Sequence, residues 1–339
     1  MAAGTKSDMK IYEEQYFTGM TEVLEQEANV FNAASNNAIK LVARNMMGDF
    51  GKESFIKSAA ALVSRRDITS VAAAADTGVT AGEAVTVKCN RKIGPAAMTL
   101  DSFKKVGSDE ATFYYLLGRQ DAKAVIVDYL NTVIAAGVAC FKLTTDLVCD
   151  VTVGKPGSTA AYQCSHTNLI KTLAKFGDAG GKIVAWLMHS RQYYDLALNA
   201  VTDKITNVAD AFIVTGSNVS LNRPIIVTDS TSLIVAGVGS SKKKYEEYFV
   251  MGLVEEGLQA TQSEDRVLLT EFVTGYENIL MRYQGESAFN VGVKGHSYKT
   301  GSGANPTLAT LAASANWEKN ASDNRSCHGV ALRCQWSSD

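Results

Sequence analysis

From Ser108 to Lys142 the chain runs 35 residues without a proline, and its bulky apolar residues recur every three or four positions. Phe113, Leu116 and Leu117 are followed by Val127, Leu130, Ile134, Val138 and Phe141, the stripe of one long α-helix. Ser108 or Asp109 can cap its start, and Glu110 sits in the first turn, where the helix dipole favours an acid. Unbroken, such a helix is about 50 Å long at 1.5 Å per residue. Gly118 and Gly137 are its expected weak points, because glycine costs a helix interior up to about 1 kcal/mol. The rest of the 339 residues must be arranged around that rod.

The stretch before the helix has the opposite character. Asp67 to Thr99 holds no aromatic residue, alternates like β-structure in Ala84-Val85-Thr86-Val87-Lys88-Cys89, and offers a turn at Asp76-Thr77-Gly78. An extended β-hairpin is expected over residues 65–107, starting at Arg65-Arg66. Its sizeable apolar side chains are only Ile68, Val71, Val79, Val85, Val87, Ile93 and Met98. Ordering a residue costs at least ~1 kcal/mol in backbone entropy, whereas a fully buried Val or Ile contributes about 1.5–3 kcal/mol. A two-stranded ribbon is marginal in water, so this one needs a second surface. The polar segment 1–64 poses the same problem: its stripe of Phe17, Val23, Leu24, Phe31, Ile39 and Leu41 is interrupted at Asn36-Asn37. Helical pieces are expected over 14–64, the last near Lys52–Leu62. A neighbouring copy of the protein is the economical support for both arms.

Beyond the long helix, helix and strand patterns mix. "HTNLIKTLAKFGD" reads as a helix ending at Gly177, "KIVAWLMH" as a buried strand, and Ser190 can cap "RQYYDLALNAV". "FIVTG" and "NRPIIVTD" read as a strand pair around Asn222-Arg223-Pro224. "RVLLTEFVTG", "ENILMRYQG" and "SAFNVGVKG" read as separate strands, and "HGVALRCQW" puts Val330, Leu332, Cys334 and Trp336 on one face. Irregular mixing without an internal repeat gives an α+β class.

Composition narrows the function. A net charge of −2 argues against a protein built to grip nucleic-acid phosphates. The absence of an apolar run of eighteen residues predicts no membrane span, and the N-terminal residues lack the apolar core of a secretory signal. Six scattered cysteines without a CxxC pair read as reduced thiols, and the sequons at Asn218, Asn320 and Asn324 as chance matches.

Several stretches imitate chemical sites. Gly181-Lys182 resembles a phosphate loop, but Gly177 is one residue too close, Ile183 replaces the required hydroxyl, and the order is helix to strand. In "GKPGST" a proline follows the lysine. Cys164-Ser165-His166 places a thiol beside an imidazole, but catalytic Cys and His are partners in space rather than sequence neighbours; His166 opens a helix. His166, His189, His296 and His328 show no metal-ligand spacing, and His189 is expected to satisfy a loose backbone carbonyl. Glu246-Glu247 and Glu255-Glu256 would split between two faces of a strand. No catalytic, cofactor or metal site survives; two arms, a rod and a compact remainder describe a subunit completed by its neighbours.

The order of these parts resembles the tailed-bacteriophage major capsid proteins of the Hong Kong 97-type fold. "VLEQEANVFNAASNNAIKL" and "SRRDITS" resemble the arm and hairpin base of one branch, "LNRPIIVTD" and "KIVAWLMHSRQYYDL" its central domain. The ending from Asn305-Pro306 through Asn316-Trp317 to Gly329-Val330 resembles its tail. The resemblance implies hexamers and pentamers of an icosahedral shell around double-stranded DNA. It divides the chain into an N-terminal arm (1–64), the hairpin or E-loop (65–107), the spine helix of a peripheral domain (108–142), an axial domain (143–258) and peripheral strands with a C-terminal segment (259–339). Arg65, Arg66, Ile68, Val71, Asp76, Thr77, Val79, Val85, Val87, Lys88, Lys92 and Ile93 of the hairpin, with Phe17 and Phe31 of the arm, are the expected intersubunit contacts. Portal, scaffolding and decoration proteins would be partners, with DNA held weakly on the inner face. Scaffolding, if needed, would be a separate protein or a removed segment, since the chain begins at the arm. Some relatives cross-link a hairpin lysine to a neighbour's asparagine. Lys88 and Lys92 are available, but no partner can be matched, so a non-covalent shell is expected. A cargo-enclosing encapsulin shares the fold; a soluble α/β enzyme using Cys164 or the acidic pairs would run as a small oligomer in gel filtration.

Overall fold

The computed structural model describes residues 6–43, 48–57, 68–69, 81–99, 110–152, 162–203, 213–214, 221–238 and 245–336. Helix α1 spans Lys6–Ala34 and is followed by Asn36 and Asn37 in left-handed backbone, φ 51° and 54°, a region asparagine enters more readily than most residues. The chain then becomes strand β1 (Ile39–Ala43). The expected helical stripe therefore ends at the asparagines, and Ile39 and Leu41 are buried as alternate residues of a strand. The short helix expected near Lys52–Leu62 is corrected too: Phe50–Ile56 is strand β2.

Strand β3 (Ala81–Thr99) is 19 residues long and lies antiparallel to β2, Phe50 opposite Val87 and Ile56 opposite Ala81. Over the described residues β3 thus has residues 50–56 as a partner strand on this side, and residues 57–80 connect the two in sequence. The expected turn at Asp76-Thr77-Gly78 lies outside the described residues.

Helix α2 (Glu110–Leu143) is a single 34-residue helix. It is long and apolar enough to cross a membrane, but 61% of its most apolar window is buried inside the protein, and every residue from Thr132 to Phe141 is buried. That makes it the central core helix. Its glycines are contact points rather than weak points. A Cβ on Gly118 would stand 2.3 Å from the Tyr16 carbonyl oxygen, and one on Gly19 of α1 would stand 2.6 Å from the Tyr115 carbonyl oxygen. The two helices cross backbone to backbone, sealed by Tyr16, Met20, Val23, Tyr114 and Ala122.

The later elements are β4 (Val148–Asp150), α3 (His166–Ala174), β5 (Ile183–Met188), α4 (Ser190–Asp203), β6 (Ile213–Val214), β7 (Ile225–Val227), β8 (Ile234–Val238), β9 (Tyr245–Val254), β10 (Leu258–Val273), β11 (Leu280–Val293), β12 (His296–Tyr298), α5 (Leu308–Ala312), β13 (Trp317–Lys319) and β14 (Gly329–Trp336). Two sheets of mixed direction result. The first runs β1-β10-β11-β3-β2, with β12 and β13 continuing from the end of β11. The second runs β4-β14-β9-β5-β7-β6, with β8 beside β9. Two stretches expected as separate strands fuse into β11, which passes Gly285 with a register shift against β3. There a Cβ would be 3.1 Å from the Val267 carbonyl. The β6–β7 pair forms as expected, antiparallel.

Side chains of α2 and the facing sides of both sheets build the main core, including Val133, Phe141, Met251, Phe289 and Trp317. A second cluster, with Trp186, Met188, Leu196 and Leu332, fills the space among the second sheet, α3 and α4.

Candidate assembly surface

The β2–β3 ribbon is anchored to its own subunit. Val85 and Val87 are 7% and 0% exposed between β2 and β11. Lys88 has only 9% of its side chain exposed and pairs with Glu264 of β10. Arg91 Nε donates to Asp128 Oδ2 of α2 at 2.7 Å, and its guanidinium lies 5.2 Å from the Phe289 ring centre. Val85, Val87 and Lys88 are thus packed within their own subunit, where β11 supplies a second surface for the ribbon's root.

Lys92 stays exposed, opposite Glu286, while Ile93 is half-buried against the α1–α2 crossing. Phe31 is half-buried on the main core. Phe17 lies in α1. Ile68 is 85% exposed. Arg65, Arg66, Val71, Asp76, Thr77 and Val79 lie outside the described residues.

Two surfaces were missed. The β10–β11 hairpin exposes Val267 (58%), Leu269 (68%), Tyr276 (64%) and Ile279 (47%). Alternation around buried Leu268 was the available signal, but sequence periodicity does not say which face is covered. The other is a groove of about 670 Å³ between α1, β1, α2 and β10, lined by Met20, Thr21, Leu24, Ala28, Asn29, Asn32, Leu41, Val42, Ile126, Tyr129, Ala260, Gln262 and Arg266. Arg266 donates from Nη2 to the Tyr129 hydroxyl at 3.2 Å, and its buried Nε has no partner among the described residues.

The imitation sites resolve structurally. Gly181-Lys182 ends a 3-10 turn, Gly177–Lys182. His166 is the first residue of α3, capped by Ser165, whose Oγ accepts from Asn168 N. His189 does not satisfy a carbonyl: its Nδ1 accepts from Arg191 N at 3.3 Å, which places the proton on Nε2, facing Asp229. Glu246 pairs with Arg191 and Glu247 with Arg333, on opposite faces of β9. Glu256 sits in the β9–β10 turn at φ 55° and pairs with Lys40. His296 and His328 meet edge to face, with ring centres 5.0 Å apart, beside the end of α2, where Thr144 Oγ1 is 2.9 Å from His296 Nε2. Burial pushes His296 down to about 4, and burial together with His296 holds His328 well below the ordinary imidazole range. Among the described residues no cluster of His, Cys, Asp or Glu could hold a metal.

The sequence profile of the Gp13-like family, major capsid protein 13-like, matches residues 8–331. The chain belongs to this family. This capsid protein shares its fold with two solved phage capsids. A cyanophage Pam1 capsid chain aligns with 12% identity and TM-score 0.54 over 89% of each chain. A capsid chain of Ralstonia phage GP4 aligns with 9% identity and TM-score 0.52, over 90% of this chain and 88% of that one. Among curated proteins none matches. The capsid protein thus has the Hong Kong 97-type α+β fold and its place is the virion, where copies of it form the shell.

Proposed function

We propose that this capsid protein assembles as hexamers and pentamers of an icosahedral shell around double-stranded DNA. Contacts of the residue 57–80 connection and of α1 hold neighbouring subunits together without covalent bonds. One observation carries the reading: the ribbon's root is buried in its own subunit, while Ile56, where β2 ends, is 75% exposed. A large apolar side chain held in water at the end of an anchored strand fits a contact made on assembly. In this reading α2 and the first sheet are the peripheral domain, residues 143–258 the axial domain, and β14 a strand returned to it by the C-terminal segment. Portal, scaffolding and decoration proteins are the proposed partners, and no catalytic role is assigned. The net charge of −2 suits an inner wall that releases its genome, because phosphate binding multiplied over every subunit would oppose ejection.

Electron microscopy of the expressed protein tests the shell: closed particles are expected, and a monodisperse small oligomer under all assembly conditions would end the proposal. Denaturing electrophoresis of boiled particles tests the contacts. A single band at the mass of one chain is expected, and a ladder of oligomers would establish cross-links.

A further inference from the structure

We propose that Cys164 and Cys334, reduced in the folded subunit, join into a disulfide within one chain once the virion stands in oxidising surroundings. The bond would pin the start of α3 to the C-terminal strand β14. It draws on the place of the protein in the virion only for its exposure to oxidant, and it leaves the contacts between chains non-covalent.

The packing of the second cluster brings the two sulfurs together. Cys164 directly precedes Ser165, the cap of α3, and Cys334 lies near the end of β14. Gln335 N donates to the Tyr162 carbonyl at 2.9 Å, which lays the approach to α3 against that strand. Both thiols are fully buried, in the cluster with Trp186, Leu196 and Leu332. Cys334 gives its proton to Gln192 Oε1 of α4 at 2.8 Å, leaving its sulfur lone pairs to Cys164, and the two thiols share a hydrogen bond. Cys140 and Cys327 also influence each other, but Cys327 turns its proton to the Asp323 carbonyl, 3.9 Å away.

Closing the bond exchanges one disulfide for another. A thiolate of the pair attacks a small-molecule disulfide, expels one thiol and is left in a mixed disulfide. Its mate then attacks the protein sulfur of that mixed disulfide and expels the second thiol. The two cysteine protons end on the two expelled thiols, and the small disulfide takes up the electron pair. Burial holds the Cys334 thiol well above its ordinary range, and an oxidant reaches either sulfur only through local opening. Closure is therefore slow, and it follows assembly in the reducing interior of a cell. The closed bond ties a chain loop that runs from α3 to β14, and such a loop removes freedom from the unfolded chain.

The test starts from particles prepared under reductant, which are dialysed into oxidised glutathione, alkylated while denatured, digested and mapped by mass spectrometry. A linked pair of peptides carrying Cys164 and Cys334 is expected, and non-reducing denaturing gels should still show one band at the mass of one chain. Unassembled subunits oxidised in the same way should unfold at least about 4 °C above reduced ones in scans at one rate. Cys164→Ala and Cys334→Ala should each abolish that shift; where a variant does not fold, the peptide map of the wild-type chain decides alone. Free thiols at both positions after prolonged oxidation, stable glutathione adducts, pairing with another cysteine, or an unchanged transition in bonded subunits would each overturn the site. Those results leave the shell reading intact. Absence of particles from the wild-type chain would sink the shell reading, while unassembled subunits would still report on the bond.

Discussion

Replacing Gly118 by alanine should weaken the α1–α2 crossing, against the ordinary rule for helices. In an exposed helix interior, Gly→Ala stabilises by about 0.8–1 kcal/mol. Here the new methyl would meet the Tyr16 carbonyl at 2.3 Å, so the helices must separate by roughly 0.7 Å to restore even a tight contact. A gap of that size forfeits a quarter to a half of the dispersion well for the atoms across it. Applied to Tyr16, Met20 and Val23, each buried to within 3%, the overpacking cost is about 1–3 kcal/mol. Subtracting the propensity gain leaves a net loss of up to about 2 kcal/mol, up to a thirtyfold change in the opening equilibrium of α1. Hydrogen exchange of amides 16–23 in unassembled subunits reads that equilibrium directly. Gly19→Ala should act alike, and the double variant should cost less than the two single changes combined, because one separation accommodates both methyls. Unchanged or increased protection in Gly118→Ala would refute the backbone contact.

Two further outcomes follow from the charge and protonation states. Glu264→Gln leaves the Lys88 ammonium nearly buried without its partner and should cost about 1–3 kcal/mol, discounted because Glu264 is itself half-exposed; Lys88→Met removes the buried charge and should cost less than about 1 kcal/mol. Denaturant melts that rank the two variants the other way would refute the buried-charge account. His296 and His328 are held neutral when folded and bind protons more readily when unfolded, so they reduce stability as pH falls from the ordinary imidazole value near 6.5 towards 4. Among the described residues the groups acting on them are Thr144, the Lys294 and Gly137 backbone, Lys319 and the Phe141 ring, none of which is a carboxylate able to stabilise an imidazolium. Thermal melts between pH 7 and pH 4 should show a decline that His296→Gln makes shallower; an identical slope in the variant would exclude the histidine pair as its source.

The rod, the β-character of residues 81–99 and the α+β mixture were legible in the sequence because each rests on a local period, 3.6 or 2, carried by side chains close together in the chain. The strand at Phe50–Ile56 escaped the reading, since "FGKESFI" is polar on both faces and becomes a strand only by pairing with β3. The glycines of α1 and α2 could be read only as costs to a helix until the partner helix was in view.

What the sequence determined by itself was the inventory: one long apolar helix and one lightly built ribbon. What tertiary structure alone decided was who covers whom. β11, about 200 residues distant in sequence, supplies the surface that the ribbon's root needed, and the same sheet sets β2 and β1, beside the Arg266 groove, at opposite edges. Periodicity fixes which residues seek burial; only the pairing of distant strands determines which of them find it within their own subunit.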